Sequence, residues 1–402
     1  MYRKFKPTTI FTGSKMLSEG HVLILTDEGL VHDIVPELQA GADLQLLDGV
    51  LSPGFINAHC HIELSHMKGV IPMHTGLVEF VKQVITKREG AGSPVVSGSL
   101  SEEIYEQRLD HKLNAMTSAV EELFNGGTVA VGDICNTADS VELKKNSRLH
   151  WHNFIEVSGF VDAVAEKRLQ SCKATLAAFV KNQPLSGNSL CPHAAYSVSK
   201  TLFQLLNEQT GDQIVSIHNQ ETLAENELYR FKTGGFLNLY SELGIQIGGF
   251  AGTGKTSLQS WLPYFNRGQK IISVHNTFTS TEDILFAKTE SAGTELSFCI
   301  CINANLYIEN SLPPLEMLIK NNCSIVLGTD SYASNSQLNM MDEINSIQKH
   351  FPAISLETIL KWATINGAKA LGLDNRFGTF EKGKKPGLVL IDVEKGLSKR
   401  VA

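Results

Sequence analysis

Apolar residues gather along this chain in short runs, and longer stretches with helical spacing separate them. Eight such runs stand at 49–62, 127–136, 151–160, 189–198, 213–222, 270–278, 295–305 and 323–331. Short β-rich runs alternating with helix-forming stretches predict repeated βα units and a parallel sheet. Eight is the number that closes a (β/α)8 TIM barrel. The stretches 103–124 and 202–209 repeat apolar residues at three and four, as an amphipathic helix does, and Gly126 with Gly127 supplies a helix stop after the first. Residues 1–50 and 378–402 read as short alternating strands, for example Val22-Leu-Ile-Leu-Thr and Leu388-Val-Leu-Ile-Asp. Both ends are expected to pair into one small β domain beside a barrel domain at 51–377. The Gly- and Ser-rich stretch 90–98 reads as a mobile loop near the exit of the first strand. No solenoid repeat or low-complexity tract interrupts the pattern.

At 402 residues the chain exceeds the size at which one core stops growing, which agrees with a large domain plus a smaller one. Its formal charge of −7 offers no basic field to phosphate backbones, so nucleic acid is excluded as a partner. Seven scattered cysteines without a CxxC pair read as buried thiols in a reducing compartment. No apolar run reaches signal or membrane-span length. A cytoplasmic protein acting on a small molecule, without a membrane partner, is the expectation.

The chemistry of a TIM barrel gathers at the C-terminal ends of its strands, and several histidines fall at such ends. His59-Cys60-His61 closes the first run, and alternation along a strand puts both imidazoles on one side with Cys60 on the other. Alone, this pair also fits two satisfied core histidines. Three further run ends change that balance: His218 closes Ile214-Val-Ser-Ile-His, His275 closes Ile271-Ile-Ser-Val-His, and Asp330 closes Ile325-Val-Leu-Gly-Thr-Asp. Ionisable groups in such places need a metal or one another. The expected ligands of a single divalent metal are His59, His61, His218 and Asp330. Imidazoles with one carboxylate suit zinc first and ferrous iron second, not magnesium or calcium. Glu221 follows His218 by three residues, where its carboxylate reaches both a bound water and a substrate ring nitrogen, and it is the expected proton carrier. Read structurally, the same glutamate is a solvated charge at a helix start.

Pro53-Gly-Phe-Ile-Asn-Ala-His-Cys-His-Ile-Glu, His218-Asn-Gln-Glu and Gly328-Thr-Asp-Ser resemble the amidohydrolase superfamily over nearly the whole chain. The HxxE after strand five, the strand-six histidine and Pro192-His-Ala-Ala-Tyr-Ser are similar to its mononuclear aminohydrolases, which deaminate cytosine, guanine, adenosine-type nucleosides and S-adenosylhomocysteine or hydrolyse triazines. Binuclear branches carry a carboxylated lysine at the end of strand four, where this chain has His193. The resemblance implies that the terminal segments form a small β-sandwich. It further implies that His275 orients and transfers protons without being a strict ligand and that Asp330 carries a proton to leaving ammonia; the family often forms homodimers, but the sequence marks no interface and leaves the oligomeric state open. Gly387 departs from the usual aspartate and Ala195 from the usual proline.

For the substrate, His61-Ile-Glu-Leu-Ser-His is similar to a segment of aminodeoxyfutalosine deaminases of menaquinone synthesis. Glu63 lies on the same side as His61 and is expected to meet a ribose or another polar group, its bland alternative being a salt bridge at the barrel rim. Cys301-Ile-Asn-Ala-Asn-Leu-Tyr resembles a segment of nucleoside deaminases and puts Asn303 and Asn305 on the far wall. With His193 and Ser331 these complete the expected substrate contacts. Hydrolytic deamination of a 6-aminopurine nucleoside-like compound is the first reading, with 6-amino-6-deoxyfutalosine favoured. S-adenosylhomocysteine or methylthioadenosine, guanine derivatives and triazines stay open.

Two readings of other classes compete. Gly249-Phe-Ala-Gly-Thr-Gly-Lys-Thr fits the phosphate-binding pattern GxxxxGK[ST], but it lacks a buried strand before it and falls between strands five and six, so it reads as a loop at the barrel mouth. A barrel kept only as a binding module would not need all four ligands and Glu221.

Overall fold

The computed structural model describes residues 2–88, 102–183, 185–290 and 293–401; the stretch 90–98, expected to be a mobile loop, lies outside them. Six strands form one mixed sheet built from both chain ends: β1 (Tyr2–Ile10), β2 (His21–Thr26), β3 (Val31–Pro36), β4 (Leu44–Pro53), and then β13 (Leu388–Asp392) and β14 (Leu397–Arg400). Their order is β14-β13-β4-β1-β2-β3. Phe5, Ile10, Leu23, Leu25, Val31, Leu51 and Leu388 point from these strands into a core of their own, together with Phe380.

The remaining strands are β5 (Phe55–Cys60), β6 (Thr128–Cys135), β7 (His150–Val157), β8 (Gly187–Pro192), β9 (Ile214–Asn219), β10 (Lys270–His275), β11 (Glu295–Ile300) and β12 (Ser324–Leu327). They pair in parallel as two arcs, β5 to β8 and β9 to β12. Bridges between Ala194 and His218 and between Cys60 and Asp330 join the arcs at their mouths, closing the eight-stranded parallel barrel that the repeated βα pattern predicts. Helices follow every strand, and the expected pair appears as Glu102–Asn125 and Lys200–Thr210. Gly127, at φ +97°, takes a conformation that side chains disfavour and turns the first of these into β6.

The first run, 49–62, is not one strand. Its opening residues belong to β4, which pairs with β13 as far as Pro53, and only residues beyond Gly54 enter the barrel. Both halves are buried and apolar, so sequence periodicity carries no sign of the change of sheet. Gly328 matters at the other end of the barrel wall: a Cβ there would meet the His59 carbonyl oxygen at 2.8 Å, so glycine lets the segment carrying Asp330 approach β5.

Among the described residues no helix is long and apolar enough to cross a membrane. All seven cysteines are free thiols, five of them buried.

A buried ion pair braces the first two barrel strands. Lys144 Nζ lies 2.6 Å from Asp133 Oδ2, with both side chains fully buried, and Asp133 Oδ1 accepts the Ile62 amide at 2.9 Å, directly after His61. Removing one partner of such a pair leaves an uncompensated charge. Lys144→Met is therefore expected to lower unfolding stability by about 3–5 kcal/mol in chemical denaturation; an unchanged midpoint would mean that the pair does not brace the fold.

Candidate active site

Strand ends bring the histidines together. His59 lies one residue before the end of β5, side by side with Asp330, whose amide donates to the His59 carbonyl at 3.1 Å. His61 follows β5, His218 lies in β9 and His275 closes β10. His61 Nε2 is 3.1 Å from both His59 Nε2 and His218 Nε2. Asp330 Oδ1 lies 3.5 Å from His59 Nε2 and 3.4 Å from His61 Nε2. His275 adds a fifth group, since donor atoms of His59, His218, His275 and Asp330 all fall within 4.8 Å of one another.

Protons cannot satisfy this arrangement. His218 Nδ1 must donate to the His193 carbonyl at 2.7 Å, so its Nε2 presents a lone pair. His275 Nδ1 likewise meets Asn305 Oδ1 at 2.9 Å. His61 Nε2 carries at most one proton yet faces two imidazole nitrogens, so lone pairs confront each other unless a cation lies between them. A tetrahedral zinc with bonds of about 2.0–2.1 Å sets neighbouring donors roughly 3.3–3.4 Å apart, and the contacts of 3.1 to 3.5 Å match that spacing. The donor set fits the metal.

Electrostatics point the same way. Burial, aided by His59, pushes His61 down to about 4. Burial also takes His275 to about 4 against the pull of Asp330, and holds His218 well below its ordinary value. For Asp330 burial works upward, but the His59 hydrogen bond and the neighbouring imidazoles outweigh it and keep the carboxyl well below the usual range. Neutral imidazoles and an ionised carboxylate are the forms that bind a divalent ion.

Backbone strain concentrates here. His275, Asn276 and Asp330 have φ of 70°, 57° and 57°, in the left-handed region that non-glycine residues enter at a cost. Local hydrogen bonds hold them. Ser334 Oγ donates to Asp330 Oδ2 at 2.5 Å, Asn276 Nδ2 donates to the Ser273 carbonyl at 2.8 Å, and Asn57 donates to Thr329 Oγ1 at 2.8 Å.

Glu221 is only 3% exposed and its Oε2 lies 3.5 Å from His275 Nε2. Burial first, then Asp330, Glu225 and Glu309, push its carboxyl well above the ordinary range. It is not a solvated surface charge. Glu225 fixes its place, accepting the Glu221 amide at 2.8 Å and the Gln220 amide at 3.0 Å, and taking the Ser257 hydroxyl at 2.9 Å.

The residues expected to touch substrate divide into two groups. His193 stands beside the cluster, its ring centroid 4.9 Å from that of His218. Ser331 is buried next to Asp330, its hydroxyl 3.2 Å from that of Ser334. The others are engaged by the protein itself. Both Glu63 oxygens accept the Asn136 and Thr137 amides at 3.0 to 3.3 Å, while burial raises its carboxyl to about 7. Asn305 orients His275, and Asn303 is bonded to Glu343 at 2.9 Å and to Ser346 at 2.6 Å. Glu225, Ser334 and Glu156 belong to no motif in the sequence. Glu156 follows Phe154 and Ile155 one residue before the end of β7, a polar residue late in a strand as His218 is in β9.

The stretch 249–256 forms no phosphate cradle. No strand precedes it, the helix after it, Ser257–Trp261, has five residues, and Thr256 Oγ1 is committed to Asp283 Oδ1 at 2.5 Å. Calorimetric titration is expected to find no ATP affinity in either the natural protein or Lys255→Ala; affinity lost with the lysine would restore the phosphate-loop reading.

The sequence profile of the amidohydrolase family matches residues 50–401. A 5-methylthioadenosine/S-adenosylhomocysteine deaminase of Pyrococcus abyssi is 26% identical over 399 residues, which cover 94% of this chain and 82% of that protein. The crystal structure of Helicobacter pylori aminofutalosine deaminase in complex with methylthio-coformycin superposes with a TM-score of 0.78 at 23% identity, covering 97% of this chain and 92% of that one. An adenosine deaminase from Xanthomonas campestris with bound zinc reaches 0.71 at 22% identity, covering 97% and 84%. The two solved structures share the fold.

Proposed function

Because this chain belongs to the amidohydrolase family, we propose that it is a metal-dependent hydrolytic deaminase of an aminopurine nucleoside-like compound. The observation that carries the reading is the meeting of His59, His61, His218 and Asp330 around one point, with Glu221 and His275 beside it. In this reading residues 51–377 are the catalytic unit, and 1–50 with 378–402 support it. His59, His61, His218 and Asp330 hold the metal, and zinc is favoured by the donor types and by the zinc in one neighbour of the same fold.

When bound, the metal supplies an attacking water that is acidic enough to ionise near neutral pH. The protein supplies the proton traffic. Glu221, buried and with a raised pKa, is suited to take the proton of that water and deliver it to the ring nitrogen beside the amino-bearing carbon. His275, kept in one tautomer by Asn305, points Nε2 at the same place and steadies the incoming oxygen. Asp330 carries a proton to the departing ammonia, and Ser334 keeps its second oxygen in line.

For the substrate, 6-amino-6-deoxyfutalosine is favoured by the His61-Ile-Glu-Leu-Ser segment, and the likeness in fold to an aminofutalosine deaminase supports it. Relatives named for methylthioadenosine and S-adenosylhomocysteine support a second reading with those substrates. An ammonia-release screen of metal-replete protein against aminofutalosine, these two nucleosides, guanine and triazines tests the proposal. Release from an aminopurine nucleoside is expected; release from triazines alone would move the activity to another substrate class.

A further inference from the structure

Glu156 lies one residue before the end of β7, at the barrel mouth, with its side chain 10% exposed. One oxygen is committed: Oε2 accepts from Asn136 Nδ2 at 2.5 Å, and Asn136 Oδ1 accepts in turn from the Arg88 guanidinium at 3.3 Å. The other, Oε1, is buried with no hydrogen-bond partner. It faces His193 Nε2 at 3.9 Å, beyond hydrogen-bond reach.

The state of His193 follows from its other nitrogen. Nδ1 lies 2.8 Å from Ser197 Oγ, and that hydroxyl donates to the Ala194 carbonyl at 3.0 Å. Ser197 therefore accepts from Nδ1–H, and Nε2 presents a lone pair. Two acceptors, the carboxylate oxygen buried and the imidazole nitrogen at its open side, thus look at each other across a narrow gap, next to His218 of the metal cluster. A group with two hydrogens to give satisfies both acceptors.

We propose that Glu156 Oε1 and His193 Nε2 form a substrate subsite that accepts two hydrogen bonds from adjacent O–H or N–H groups, making Glu156 a specificity-determining residue. The inference rests on the deaminase reading and deepens it. Two parts of a nucleoside present such donors: the vicinal hydroxyls of a ribose, and the ring N–H with the neighbouring amino group of a 2-aminopurine. An anionic substituent is kept out of this part of the pocket by the carboxylate. Glu63, expected from the sequence to meet a ribose, has both oxygens occupied by backbone amides; Glu156 is the nearby carboxylate with an oxygen still open.

Calorimetric titration of zinc-loaded protein with unreactive hydrolysis products tests this. Inosine against 2′,3′-dideoxyinosine isolates the hydroxyls, and guanosine against inosine isolates the ring edge. A hydrogen bond to a charged group corresponds to about tenfold or more in affinity. The natural protein is expected to prefer the donor-rich member of one pair by about that factor. Glu156→Gln should abolish the preference with zinc content unchanged, and Glu156→Asp should restore part of it. Preferences equal in the natural protein and Glu156→Gln, or none in either arm, would overturn the subsite. Ammonia release from adenosine and aminofutalosine, followed in parallel, separates the two claims. Release with unaltered preferences removes the subsite alone, whereas no release from any aminopurine removes the functional reading beneath it.

Discussion

Glu221→Gln is expected to lower turnover at least ~100-fold while zinc content and thermal midpoint stay at their natural values. Glutamine keeps the shape of the side chain but cannot exchange a proton. Glu221 is not among the four expected ligands, and its backbone is fixed by Glu225 and not by its own carboxylate. Loss of the carboxylate thus isolates proton transfer from folding and from metal binding. The pKa shift sets the direction of the pH dependence as well. Burial and three neighbouring carboxylates raise Glu221, so in the metal-free protein this group favours folding at low pH and loses that contribution as pH rises through its elevated pKa. Steady-state kinetics with metal analysis on the same samples measures the effect. Near-natural turnover would remove Glu221 from the chemistry, and turnover lost together with the zinc would make it a structural support of the site.

His218→Ala should have the other large effect, on the metal itself. His218 Nε2 approaches His61 Nε2 at 3.1 Å, and its Nδ1 is locked to the His193 carbonyl at 2.7 Å. This second bond fixes which nitrogen faces the cluster, as outer hydrogen bonds do for metal-binding histidines. An alanine there removes one of the four expected donors, and His275 beside it is held by Asn305. Elemental analysis after gel filtration is expected to give less than about one tenth of the natural zinc content, since even outer-shell changes cost roughly 10–100-fold in metal affinity. Activity should fall with it. Full occupancy in the variant would show that the metal, if bound, sits elsewhere.

Much of this site can be read from the sequence because its parts obey local rules. Two-residue alternation puts His59 and His61 on one side of a strand end, and a polar residue closing an apolar run marks His218, His275 and Asp330. Spacing after His218 marks Glu221. The barrel itself follows from counting runs, yet the first run conceals two strands in different sheets, since buried apolar residues look alike in either. Partners distant in sequence are a different matter. Asn305 reads as a wall residue but meets His275 through the fold, and Glu63 reads as a substrate contact but spends itself on the amides of 136 and 137. Glu225 looks like any glutamate on an amphipathic helix, although it pins the turn that carries Glu221. Asp133 and Glu156 also fall near the ends of their strands, Glu156 one residue before the end of β7 as His218 is in β9. A search for imidazoles passes over them, because a lone carboxylate declares its role only through what the barrel sets beside it.

The central claim is that one divalent ion, held where four side chains converge, is required for hydrolysis of an aminopurine. Ammonia release from aminofutalosine and adenosine, measured with the protein as isolated, after removal of metal by a chelator, and after return of one equivalent of zinc, tests it most directly. Release that disappears with the metal and returns with a single equivalent is the predicted result. Release that persists in metal-free protein, or none from any aminopurine when zinc is fully restored, would contradict it.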